Sequence, residues 1–260
     1  MVDVVLLLKL FLVPTLILIA SLAGNRWGPA VSGWLVSLPL TSAPVIFFLA
    51  IEQGDAFASS ASVGVILGLA SITLFAFAYC WLALRRKRVA WSVPVLLGSA
   101  AFFLLTFVFV GIDVPSVAAF GGTVVFLALA YRFLPRARSP IASSIPVVWW
   151  EIAFRMVAAT TLVLLITQAS AALGPQLSGL LTPFPIYVSV LASSTYRLQG
   201  AEAAARLVRG ATLGLFTPAV FFLIVSVTIV WLGVGPSFGL AIAVTPLVHA
   251  LAYRLIKLES

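Results

Sequence analysis

Residues 28–39 read GPAVSGWLVSLP, and residues 174–185 read GPQLSGLLTPFP. The two stretches lie 146 positions apart and open a longer match, because residues 28–75 align with residues 174–221 without a gap. Fourteen of these 48 positions are identical, five of them glycine, whereas about four identities would be expected by chance. The chain therefore contains an internal duplication.

The composition predicts a membrane protein. Of the 260 residues, 63% are hydrophobic and only 8% are charged, which excludes a water-soluble surface of ordinary polarity. About 20 apolar residues are needed for a helix to cross a bilayer, and nine such stretches predict an all-α, polytopic protein. They cover roughly residues 4–23, 29–51, 61–84, 89–111, 114–134, 147–169, 175–196, 210–233 and 236–257. The first resembles a signal peptide, but the internal Lys9 and a counterpart at 150–169 favour a retained helix.

The distribution of basic residues predicts the orientation. If all nine stretches cross and the C-terminus is cytoplasmic, fourteen of the fifteen basic residues lie inside and only Lys9 lies outside. We therefore expect an inner or plasma membrane protein with its N-terminus outside. The net charge of +8 then reflects topology rather than nucleic-acid binding, and the basic run at 85–88 is suited to contact anionic lipid headgroups.

The duplication combined with this orientation predicts two inverted repeats. Residues 1–112 form the first four-helix repeat, residues 113–140 a linking transmembrane helix and basic loop, and residues 141–260 the second repeat. The odd fifth helix turns the second repeat upside down, as in many transporters. A competing match at an offset of 122 aligns residues 129–132 with 251–254, which we interpret as aromatic and arginine anchoring at the membrane interface.

The second helix of each repeat carries two prolines near its middle. Proline removes a backbone donor and clashes with the carbonyl four residues earlier, so these helices are predicted to kink or break. A pair of broken helices in opposed repeats is typical of a transporter binding site. The candidate lining residues are Pro39, Thr41, Ser42, Thr182, Pro185, Tyr187 and Ser189. The alternative is a purely structural kink whose free carbonyls are satisfied by neighbouring hydroxyls.

Two cations within predicted spans are further candidates for solute binding. Lys9 and Arg155 are equivalent at the 146 offset, and Glu151 precedes Arg155 by four residues on the same helix face. Buried cations of this kind face a partner or a cavity, where they would favour an anionic solute. The alternative is that both side chains snorkel to the nearer interface.

Glycines spaced four apart mark the third helix of each repeat. Gly64 and Gly68 in the first repeat match Gly210 and Gly214 in the second. Such a strip lets another backbone approach closely, so we expect these faces to pack within the molecule.

The sequence gives little support to an enzyme. Cys80 and His249 are the only residues of their types and lie in non-equivalent helices, so neither a metal site nor a nucleophile and base pair is predicted. No nucleotide-binding motif is present. We expect no cofactor and no metal.

The second half resembles the GlpM-type small membrane proteins. The resemblance rests on Arg155, the stretch GLLTPFP at 179–185, Gly200 with the following AEA, and Gly214 with Pro218. It covers about 70 residues directly and implies a fused pair of such units. The first half departs from the pattern, because Glu52 and Asp55 flank its QG turn and no arginine follows it. The resemblance implies no substrate.

Together these patterns favour a transporter or facilitator for a small solute, anionic or amphipathic, passing between the second and seventh helices. The alternative is a scaffold or lipid-associated subunit that transports nothing. The expected partners are membrane lipid and the unidentified solute, with no nucleic acid. The sequence does not decide whether the chain assembles with a second copy of itself or with a partner subunit.

Overall fold

The computed structural model describes residues 2–27, 39–86, 89–135 and 149–258, all helical or in short connections, with no strand among them. The first of the duplicated proline stretches, apart from Pro39, and the basic residues Arg136 and Arg138 lie outside this part of the chain. The ten helices within these ranges are α1 (Val2–Trp27), α2 (Ser42–Gln53), α3 (Asp55–Arg85), α4 (Ser92–Phe109), α5 (Ser116–Phe133), α6 (Trp149–Leu181), α7 (Ile186–Gln199), α8 (Ala201–Gly214), α9 (Phe216–Leu232) and α10 (Val234–Leu258).

Five helical stretches in the described ranges are long and apolar enough to span a membrane. They are Asp55–Arg85, Ser92–Phe109, Ser116–Phe133, Trp150–Leu181 and Ala201–Leu232. Three shorter apolar helices cover Val4–Ile19, Ser42–Gln53 and Val234–Leu247. The all-helical, membrane-type architecture predicted from composition is therefore observed.

The helices of the two halves correspond at the 146 offset. Shifted by that distance, α2 becomes residues 188–199, which α7 covers, and α3 becomes residues 201–231, which α8 and α9 cover together. In the same way α4 maps into α10. Over these ranges the two halves share one order of helices, apart from the single turn residue Leu215 that divides α8 from α9.

Single glycines connect consecutive helices. Gly54 between α2 and α3 has φ 90° and ψ 167°, and the equivalent Gly200 between α7 and α8 has φ 88° and ψ 174°. Each donates its N–H to the preceding helix and accepts from the following one, with N···O distances of 3.0–3.3 Å. Only glycine adopts this region readily. Gly174 (φ 74°, ψ 170°) makes the same kind of turn inside α6 and divides it into segments 149–173 and 175–181.

Replacing one of these turn glycines should destabilise the protein through conformation alone. No described atom lies within 4 Å of a Cβ built on Gly200, so Gly200→Ala introduces backbone strain without a clash. We expect a loss of about 1–3 kcal/mol of stability, measured as a lower thermal midpoint in detergent. Gly122→Ala, in exposed helical backbone of α5, is the control. Equal midpoints for the two variants would contradict the role of the turn.

Helix α3 packs antiparallel against α8 and α9, which are its counterparts in the second half. The Ser59 hydroxyl donates to the carbonyl of Ser226 at 2.6 Å, and the Cys80 thiol contacts the carbonyl of Ala205 at 3.5 Å. Residues 59 and 205, and likewise 80 and 226, are equivalent at the 146 offset. The two contacts therefore join equivalent pairs of residues, as in an interface with twofold symmetry, although α3 supplies the side-chain donor in both.

Helix α3 is the centre of the bundle. In the most apolar 18-residue stretch of α3, 72% of the residues are buried, whereas the corresponding share is 22% in α4 and 17% in α5. Its first half packs in a hydrophobic cluster with Phe48 of α2 and Phe222 of α9, and its second half packs with Phe102 of α4 and Val208 of α8. The exposed apolar faces of α4 and α5 are suited to contact lipid.

The predicted glycine packing is confirmed in the first half. A Cβ on Gly64 would lie 2.4 Å from the carbonyl oxygen of Gln176, and one on Gly68 would lie 2.8 Å from that of Leu180. The second half differs, because Gly214 is buried but Gly210 is exposed. Close backbone approach therefore joins α3 to the segment 175–181, which leads to the proline break.

Candidate functional site

The chain breaks where the second half carries its two prolines. The segment 175–181 ends at Leu181, residues 182–185 are not helical, and α7 begins at Ile186. Pro183 and Pro185 cannot donate backbone hydrogen bonds, and each disfavours helical backbone in the residue before it. In the first half residues 39–41 are likewise outside the helix, and α2 begins at Ser42. The break predicted for the seventh span is thus present at its prolines.

A cavity of about 100 Å³ lies at these breaks. Its described lining comes from both halves and includes five pairs that are equivalent at the 146 offset. The pairs are Pro39 with Pro185, Thr41 with Tyr187, Ser42 with Val188, Leu69 with Leu215, and Ile72 with Pro218. Because equivalent positions face one space, the cavity lies where the two halves meet. This volume accommodates several water molecules.

Most of the lining that the described residues provide is apolar, with four hydroxyl groups. They belong to Thr41, Ser42, Tyr187 and Thr212. The Thr212 hydroxyl donates to the carbonyl of Val208 at 2.9 Å within its own helix. The described lining carries no charged side chain, so the cavity can bind a small polar group through hydroxyls and hold apolar surface around it.

Arg155 lies beyond Tyr187. The guanidinium carbon is 4.8 Å from the centre of the Tyr187 ring, and Nη1 donates to the Tyr187 hydroxyl at 3.4 Å. Nη2 donates to the Glu151 carboxylate at 2.9 Å, and both side chains are more than nine-tenths buried. The predicted Glu151–Arg155 pair is therefore present. The Arg155 Nε is buried without a partner among the described residues.

Lys9 is paired at a different place. Its ammonium group donates to the Glu52 carboxylate at 2.6 Å and to the Thr167 hydroxyl at 2.8 Å, and it lies 5.5 Å from the centre of the Phe48 ring. With 2% of its surface exposed, Lys9 does not snorkel. It instead joins α1, α2 and α6.

The remaining candidates lie near the cavity without lining it. Thr182 is buried, and its hydroxyl donates at 2.7 Å to the carbonyl of Ser178, which also accepts the Thr182 N–H. Ser189 follows one turn after Pro185, and its hydroxyl is buried without a partner in the described part of the chain. Of the ten sequence candidates, the structure brings Pro39, Thr41, Ser42, Pro185 and Tyr187 together.

Several residues of the site were not among the candidates. Leu69, Leu215 and Phe184 line the cavity, and Glu52 is the partner of Lys9. Leu69 and Leu215 are identical residues at the 146 offset, so the internal duplication could have identified them as candidates. No sequence pattern identifies Phe184 or Glu52.

In the described residues no group of three or more His, Cys, Asp or Glu side chains could hold a metal. No family model, curated protein or solved structure matches the chain. The chain's class therefore rests on its apolar helices, which fit a membrane-embedded protein.

Proposed function

We propose that the chain is a transporter or facilitator of the inner or plasma membrane, which moves a small amphipathic solute through the cavity between its two halves. The observation that carries this proposal is the lining itself, in which equivalent residues of both halves meet at the proline breaks. A binding site at the interface of opposed repeats, built from broken helices, is the arrangement that alternating access requires.

Two inverted repeats are part of this proposal. The antiparallel contacts of residues 59 and 80 with residues 226 and 205 support the inversion. The basic residues supply independent support, because nine crossings with the N-terminus outside and the C-terminus in the cytoplasm collect fourteen of them on one side. In this topology the second and seventh crossings are the broken ones, which explains why α2 and α7 are short.

The pairing of the two cations within the predicted spans favours an amphipathic solute over a simple anion. Lys9 and Arg155 are each paired with a carboxylate, so neither presents a full positive charge. The hydroxyls of Thr41, Ser42 and Tyr187 remain to bind an oxygen-bearing head group, with the Arg155 Nε as a further donor behind them. The resemblance to GlpM-type proteins is compatible with this proposal and adds no substrate to it.

A scaffold or lipid-associated subunit is the second candidate function. The largely exposed faces of α4 and α5 favour it, because they offer a wide apolar surface to lipid or to a partner helix. It requires no movement of solute through the centre.

Filling the cavity should stop transport. Ala211 is half-buried in the lining, and Ala211→Phe places a ring in a space of about 100 Å³. We expect flux in proteoliposomes to fall at least about tenfold, measured over a panel of fatty acids, alkyl amines and neutral alcohols, with chloride and phosphate included. The double substitution of Pro39 and Pro185 by alanine should also change the flux.

Ala128→Phe on the exposed face of α5 is the matched control and should leave the flux unchanged. If the wild-type protein moves none of these solutes, the scaffold function is favoured instead. If Ala211→Phe transports at the wild-type rate, the solute does not pass through this cavity.

A further inference from the structure

A second space lies directly beside the central cavity. It is an apolar groove of about 600 Å³ between α4, α6 and the residues of the break. Ten of the eleven described side chains that line it are apolar, Thr161 being the exception. Leu165 is 63% exposed and Phe103 39% exposed, so the groove opens toward the hydrocarbon of the bilayer.

Phe184 belongs to both spaces. It lies in the break between the two prolines, and its side chain lines the groove as well as the central cavity. Its ring stacks on Phe103 with centroids 5.3 Å apart and meets Phe102 edge-on at the same distance. A single aromatic side chain held by α4 thus separates an apolar, membrane-facing space from a smaller space with hydroxyl groups.

We propose that the groove binds the hydrocarbon chain of the transported solute, a single-chain amphiphile that enters sideways from the bilayer past Phe184. This inference rests on the proposed function. The two linings select the occupant, because an apolar groove beside a cavity that carries hydroxyl groups suits a long chain with a small head group. The head group then reaches the hydroxyls of Thr41, Ser42 and Tyr187.

Affinity for such a chain cannot come from the hydrophobic effect alone. Lipid tails are as apolar as leucine, so a chain gains little by leaving the bilayer for the groove. The selectivity must come from the shape of the groove and from the head group in the central cavity. Binding should therefore saturate, whereas ordinary lipid contact rises in proportion to the amount of lipid.

Photolabelling tests this site on the full chain in phosphatidylcholine vesicles. The probe is palmitic acid with a diazirine on its chain, and the labelled residues are identified by mass spectrometry. We expect labelling at Leu165 and Ile166 that saturates as the mole fraction of probe increases. Ala169→Trp fills the groove and should lower the saturable labelling at least about tenfold. Ala153→Trp, on an exposed position of the same helix outside the groove lining, should leave it unchanged.

Labelling that never saturates, or that Ala169→Trp leaves intact, would overturn the proposal. If Ala169→Trp does not yield monodisperse protein, Ala158→Trp in the same lining replaces it. Flux without saturable labelling would contradict chain binding in the groove and support transport through the cavity. Saturable labelling without flux would support chain binding in the groove and contradict the transport function.

Discussion

Gly179→Ala should abolish most of the folded protein. A Cβ on Gly179 would lie 1.9 Å from the carbonyl oxygen of Ala61, a backbone atom that cannot rotate away. The segment 175–181 would have to move off α3, and it would carry the adjacent break and the cavity with it. We expect a loss of at least about 4 kcal/mol, seen as the disappearance of the monodisperse peak in size-exclusion chromatography and as a lower thermal midpoint.

Gly121→Ala is the matched control, since Gly121 is also helical and a Cβ there meets no described atom within 4 Å. It should behave as the wild type. A Gly179→Ala protein with the same chromatographic profile and midpoint as Gly121→Ala would show that α3 and α6 do not approach as closely as the structure has them.

Arg155→Met should be nearly as damaging, because it leaves the Glu151 carboxylate buried without a counter-ion. Removing one partner of a buried ion pair costs about 3–5 kcal/mol, whereas removing both is often close to neutral. We therefore expect Glu151→Gln combined with Arg155→Met to recover much of the stability lost in the single variant. The coupling is measured from thermal midpoints in a double-mutant cycle.

Lys9→Met supplies the comparison for this cycle. It leaves the Glu52 carboxylate, which is 29% exposed and not fully buried as Glu151 is, so the loss should be smaller than for Arg155→Met. Additive effects of the Glu151 and Arg155 substitutions would contradict the pairing that the structure shows.

Much of the fold follows from the sequence because long apolar stretches specify helices. The duplication also predicted where connections occur, since Gly54 and Gly200 match in sequence and take the same backbone conformation. The interruption at Leu215 and the exposed position of Gly210 were not predicted, because each depends on what packs around it. The number of crossings and the orientation stay predictions.

The internal duplication predicted the part of the candidate site that the two proline breaks contribute. Pro39 with Pro185 and Thr41 with Tyr187 were identified as candidates by their place in the second and seventh spans, and they do share a cavity. The partner of Lys9 lies 43 residues away in sequence, and spacing alone could not reveal that pairing. Phe184 divides two spaces only because Phe102 and Phe103 of another helix hold its ring.

Lys9 and Arg155 occupy equivalent positions at the 146 offset, but the side chains that they contact are not equivalent. Arg155 rests on the Tyr187 ring, where the other half has Thr41, and Lys9 binds Glu52, where the other half has Leu198. Both contacts are present in this one conformation, so both stabilise it. If the halves exchange conformations during transport, weakening either contact should therefore shift the resting orientation in the same sense, away from this conformation.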